Sequence, residues 1–116
     1  MAAPSLSTYG KALMELRELK EEVFAEHLNT KFYIPLDEER RIELELVKVA
    51  GDKSTLEKIE GVNRFALYFL GPGDLLLPQR IYPLEHDALG RLEIFIVPIG
   101  IRDNRYEYEA IFSHTE

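Results

Sequence analysis

Acid, base and imidazole stand side by side at one place in this chain, Glu85-His86-Asp87, and any catalytic reading begins there. General acid–base chemistry needs such groups to converge on one reacting atom. The surrounding pattern is that of a strand, which works against convergence. Tyr82, Leu84 and His86 fall on one face and Glu85 on the other, while Asp87 opens a turn in which a carboxylate bonds a backbone N–H two residues on. His86 therefore reads as the end of a core-facing strand, hydrogen-bonded to a backbone group or a tyrosine, and it is the one residue on which a weak enzymatic activity could be centred.

Other chemistries find less support. Cysteine is absent, which removes disulfides, thiolate catalysis and Cys-ligated zinc. His27, His86 and His114 are far apart in sequence and none has a histidine four residues away, so no metal site and no cofactor are expected. Gly71-Pro72-Gly73 is too short and too rigid to cradle a phosphate, and no Ser or Thr occupies a nucleophile elbow. Tyr33, Tyr68, Tyr82, Tyr106 and Tyr108 could line a sugar or peptide groove, although tyrosine is also a good strand former.

The features that folding leaves unexplained point to binding. Leu75, Leu76 and Leu77 precede Pro78, and three consecutive leucines in an extended segment cannot all face inward. Pro83 lacks an N–H, so its strand cannot be fully paired on that side. Leu75, Leu76, Leu77, Tyr82 and Pro83 are the candidate contact residues for a protein partner or for self-association.

Lys and Arg number 14 against 21 Asp and Glu, a net charge of −7 at pH 7. Such a chain is repelled by phosphate backbones unless a basic patch forms, and its basic residues are scattered, so no nucleic-acid partner is expected. No run approaches the ~18 apolar residues of a membrane span, and the start of the chain lacks the order of a secretory signal. The expectation is a soluble cytoplasmic protein, or part of a particle assembled in the cytoplasm.

The positioning elements are mostly strands. Apolar residues at Tyr9, Ala12, Leu13, Leu16, Leu19, Val23 and Phe24 predict an amphipathic helix over 8–28, with Ser5 or Ser7 as its cap and Asn29 as a left-handed terminator. Strands follow at 31–35, at 41–50 with a change of phase at Val47, at 64–70 with two apolar faces, at 80–86, at 92–99 and at 106–113. Ser54-Thr55-Leu56-Glu57 suits one helical turn, residues 101–105 read as a loop, and 114–116 as a tail. The fold class is mainly β: a small antiparallel barrel or tight sandwich of about six strands, with residues 1–30 as a helix packing on or extending from a β domain at 31–116. A barrel of this size fills its interior with side chains, so a small-molecule ligand is not expected.

Phe65-x-Leu67-x-Phe69-x-Gly71-Pro72-x-Asp74, Leu77-Pro78-Gln79-x-Ile81-Tyr82-x-Leu84-Glu85-His86, Leu89-Gly90, Phe95-Ile96-Val97-Pro98-Ile99-Gly100 and Tyr108-Glu109-Ala110-x-Phe112 together resemble an uncharacterised bacterial domain family, a domain of unknown function. The resemblance covers roughly residues 19–112, and it departs at Asn29, where the family commonly has Gly, and in the extension over 1–17. It implies no activity. It does imply a genetic setting, since such domains are often encoded near phage-tail-like or tail-collar genes. The resulting expectation is a non-enzymatic structural or interaction module of a phage-tail-like or fibre assembly, with a small-molecule or glycan-binding barrel as the alternative.

Overall fold

The computed structural model describes residues 20–51 and 62–115; of the helix expected over 8–28, residues 8–19 lie outside these, as do its serine caps and the helical turn at 54–57, and the described part is helical only over Glu21–Ala25, with Lys20 extended before it and a turn after it. One short helix, α1 (Glu21–Ala25), precedes six strands: β1 (Lys31–Pro35), β2 (Arg41–Gly51), β3 (Val62–Gly71), β4 (Arg80–His86), β5 (Gly90–Arg102) and β6 (Arg105–Thr115). They close into an antiparallel barrel in the order β1-β2-β3-β6-β5-β4. Of the two expected architectures, the barrel is the one formed.

Alternation sets the inner face. Phe32 and Ile34 of β1, Ile42, Leu44 and Leu46 of β2, Phe65, Leu67 and Phe69 of β3, Tyr82 and Leu84 of β4, Leu92, Ile94 and Ile96 of β5, and Tyr108 and Ala110 of β6 are all buried. The phase change at Val47 is a bulge: the register moves from Leu46↔Phe69 to Lys48↔Tyr68. A second irregularity, between Pro98 and Gly100 on β5, is not apparent from alternation alone.

The turns follow local chemistry. Asp37 Oδ1 accepts the N–H groups of Glu39 and Arg40, each at 2.8 Å, and so closes the β1–β2 connection. Where a loop over 101–105 is expected, the strands instead run on to a two-residue turn, Asp103 and Asn104, with φ of 53° and 62°. Asp and Asn tolerate that left-handed region better than other side chains, and a two-residue turn of this hand matches the twist of the flanking strands. β6 likewise continues through His114 to Thr115 where a tail is expected, because β3 extends back to Val62 and pairs with it.

Each end of the barrel is filled differently. At one end Phe24 of α1 is fully buried, its ring 5.9 Å from Phe65 and 5.4 Å from Phe112, which stack on each other at 5.0 Å. After α1 the chain turns at Asn29, φ 68°, whose N–H donates to Leu46 O at 2.6 Å, and Leu46 N–H returns a bond to Thr30 O at 3.0 Å. At the other end the loop between β3 and β4 folds inward at Leu77. Gly71 is required there, because a Cβ on it would lie 2.8 Å from Leu44 Cδ2 and 3.2 Å from Tyr108 Cε2.

Candidate functional site

His86 lies at the inner end of β4 and is 8% exposed. Its Nδ1 accepts the backbone N–H groups of Ala88 at 3.0 Å and Leu89 at 3.2 Å, so that nitrogen carries no proton. The proton is therefore on Nε2, which lies 2.9 Å from Thr30 Oγ1. Thr30 in turn donates its own hydroxyl hydrogen to His27 O at 2.6 Å, leaving the oxygen to accept from His86. Every nitrogen lone pair and proton of the ring is thus committed. His86 has no free lone pair to take a proton from a substrate, and Thr30 has no base beside it, although the two form the outline of a hydroxyl–imidazole dyad.

Burial is the main cause that pushes the His86 pKa down, with the neighbouring His27 adding to it and Asp87 opposing it. The rings of His27 and His86 are 4.7 Å apart, centroid to centroid. This corrects the expectation that the histidines are remote from one another: the turn after α1 brings His27 over the end of β4. The side chain of His114 is outside the described part of the structure. Among the described residues, no group of three or more His, Asp or Glu converges as a metal ligand set would. Glu85 and Asp87 do not join His86 in a triad, since neither hydrogen-bonds the ring.

The tyrosines do not form one groove either. Tyr33 lies under the Arg41 guanidinium at 3.7 Å, and Tyr68 donates to Glu109 Oε2 at 2.7 Å. Tyr82 and Tyr108 face inward and hold the loop between β3 and β4. Tyr82 donates its hydroxyl to Pro78 O at 2.6 Å, and Tyr108 accepts Leu77 N–H at 2.9 Å.

That loop borders the larger site. Leu77 is buried, and Leu75 and Leu76 are 42% and 51% exposed. Beside them the seam between β1 and β4 is paired only at Tyr33↔Glu85, whereas β4 pairs β5 without interruption from Arg80↔Ile96 to His86↔Gly90. Sparse pairing on one side is what a proline within a strand requires, and Pro83 sits there. Where the seam is unpaired an open groove of about 510 Å³ runs between Ile34, Pro35 and Leu36 on one wall and the β4 residues from Arg80 to Pro83 on the other, roofed by the leucines. All five binding candidates, Leu75, Leu76, Leu77, Tyr82 and Pro83, border this groove.

Residues 19–112 match the family described as Domain of unknown function (DUF6916). The chain belongs to this family. The DUF6916 match runs from Leu19, two positions before α1, to Phe112, so it takes in the histidine pair and the groove together. Nothing among curated proteins or solved structures matches the chain significantly.

Two contributors to the DUF6916 groove were hidden from sequence reasoning, Leu36 and Ile81, which are 53% and 61% exposed. Leu36 carries no periodic signal because it follows the last residue of β1. Ile81 has one, being out of phase with Tyr82 and Leu84, and an isoleucine on the outer face of a strand is the cue that could have marked it. No helix among the described residues is long and apolar enough to cross a membrane.

Proposed function

We propose that this domain is a non-enzymatic protein-interaction module that receives a segment of a partner protein in the groove beside β4, within a phage-tail-like or fibre assembly. One observation carries the interaction reading: four large apolar side chains, Leu36, Leu75, Leu76 and Ile81, stay exposed around a single open groove while the rest of the loop is fastened by two tyrosine hydroxyls. Scattered exposed leucines are ordinary on a protein surface, whereas contiguous ones around a depression favour association. The assembly context is supported by the resemblance in sequence to domains encoded beside tail genes. The non-enzymatic reading is supported by His86, whose Nδ1 is spent on its own turn and whose Nε2 is spent on Thr30.

A photo-crosslinking amino acid at position 76 tests this in the native cell. The expected product is one discrete adduct, reconstituted with the purified partner and lost with Ile81→Ser. A chain that yields no adduct at 76 and shows no Ile81-dependent complex has no such role. The groove volume also falls in the range of small-molecule sites. A ligand reading would need the same groove to retain a small molecule through purification, which native mass spectrometry detects.

A further inference from the structure

Arg80 is the one charged residue among those that line the groove. On a chain of net charge −7, the charge at this place runs against the average. Arg80 shares the strand phase of Tyr82, and its cross-strand partner is Ile96, which is fully buried. It therefore takes a core-facing position at the end of β4, not a place on the outer face where an arginine needs no explanation. Its guanidinium lies 5.8 Å from the Tyr82 ring, and among the described residues no carboxylate pairs with it.

Much of the remaining hydrogen-bonding capacity of the walls is missing or already used. Pro35, Pro78 and Pro83 have no N–H to offer. The Leu36 N–H donates to Arg40 O at 3.0 Å, the Leu77 N–H to the Tyr108 hydroxyl, and the Tyr82 hydroxyl to Pro78 O. A strand added along the seam would find a broken row of donors, so a bound segment is read through its side chains. Apolar anchors can settle in such a groove at several positions, whereas a guanidinium fork selects one, because it matches a carboxylate bidentately. A second copy of the chain is a poor occupant. In a two-fold contact the same patch meets itself, and this patch holds a guanidinium and no carboxylate.

Resting on the interaction reading above, we infer that the groove takes a segment of a different protein in which apolar anchors accompany one Asp or Glu, whose carboxylate pairs with Arg80. The anchors lie against Leu75, Leu76 and Ile81 and supply the residence time. The ion pair sets the register of the segment and the choice of partner.

Three synthetic peptides test this on the full chain: one with leucine anchors and a single Glu, one with Gln in place of that Glu, and one that keeps the Glu but has Ser for every Leu. Amide chemical-shift mapping and fluorescence anisotropy are the readouts. The Leu/Glu peptide is expected to shift the Leu76 and Ile81 amides together with the Arg80 side-chain N–H, and to bind at least about fivefold tighter than either control. Arg80→Gln is expected to erase the preference for Glu over Gln, and Arg80→Glu to transfer it to a peptide with Lys at that position, while Leu76→Ser weakens every leucine peptide. Equal binding of the Glu and Gln peptides to the wild-type chain overturns the carboxylate inference and leaves the groove standing as a docking site. A dimer in light scattering that Ile81→Ser dissociates also overturns it, with the second copy as occupant. Dodecanoate that displaces the Leu/Glu peptide and binds more tightly overturns it in favour of a lipid-like acid. If no leucine peptide moves the groove amides, both the inference and the reading beneath it fall.

Discussion

The hydroxyl of Tyr108, on the innermost face of β6, accepts the backbone N–H of Leu77 at 2.9 Å across 31 residues of sequence. It is the bond that ties the roof of the groove to the barrel core. Both residues are buried, so water cannot replace the tyrosine if it is removed.

Tyr108→Phe is expected to cost about 1–3 kcal/mol, the penalty for leaving a buried N–H without an acceptor. Urea unfolding measures it, and hydrogen exchange at the Leu77 amide should accelerate in step. Tyr82→Phe makes the contrast, because Pro78 is exposed and its carbonyl can turn to water. Its cost is expected below about 1 kcal/mol. If the two substitutions cost the same, the Tyr108 bond is not what holds the loop.

His86 makes the fold sensitive to acid, and the sign follows from its depressed pKa. The unfolded chain protonates near the ordinary imidazole value of 6.5, while the folded ring resists protonation because it is buried and faces His27. Between the two values the unfolded state binds more protons, so stability falls as pH drops through 6.5 and the loss is complete below the folded value. Geometry agrees: a proton on Nδ1 would confront the N–H groups of Ala88 and Leu89. Asp87 is the nearby charge that favours the protonated ring, and it only moderates the effect. His86→Asn keeps an acceptor near the position of Nδ1 and removes the titration. Its unfolding free energy is expected to be lower than wild type at neutral pH and flatter between pH about 7 and 5.

Gly73 and Gly100 form a matched pair. A Cβ on Gly73 would lie 2.1 Å from the Asn104 carbonyl oxygen, so the loop before Leu75 presses directly on the β5–β6 turn. A Cβ on Gly100 meets nothing within 4 Å. Gly73→Ala is expected to destabilise by more than about 2 kcal/mol, since backbone on both sides must shift, and Gly100→Ala to change stability by less than about 0.5 kcal/mol. Thermal denaturation of the two variants decides it, and equal melting temperatures would show that the loop and turn yield freely.

Much of this fold was legible because local chemistry and alternation agree. Asn29 reads as a left-handed terminator and has φ 68°, and Val47 marks the bulge where the pattern slips. Of the three leucines one is buried and two are exposed, as an extended segment demands. What stayed hidden depends on closure. The contact of His27 with His86 exists only because α1 docks on the barrel end, and no periodicity links residues so distant. The near wall of the groove is β1, which neighbours β4 only once the sheet has curled round on itself. The candidate residues could be named from the chain, but the cleft they border could not.

The barrel closes through two unequal joints. β3 and β6 are matched over ten residue pairs, from Val62↔Thr115 to Gly71↔Tyr106, whereas β1 and β4 meet at Tyr33↔Glu85 alone. Two three-stranded leaves are therefore fastened by one long spine and one short clasp, and they will breathe at the clasp first. Amides of β1 and the outer edge of β4 should exchange with solvent by small local openings, and those along the β3–β6 spine only by global unfolding. A partner seated across the clasp would latch both leaves at once and slow that exchange from a distance.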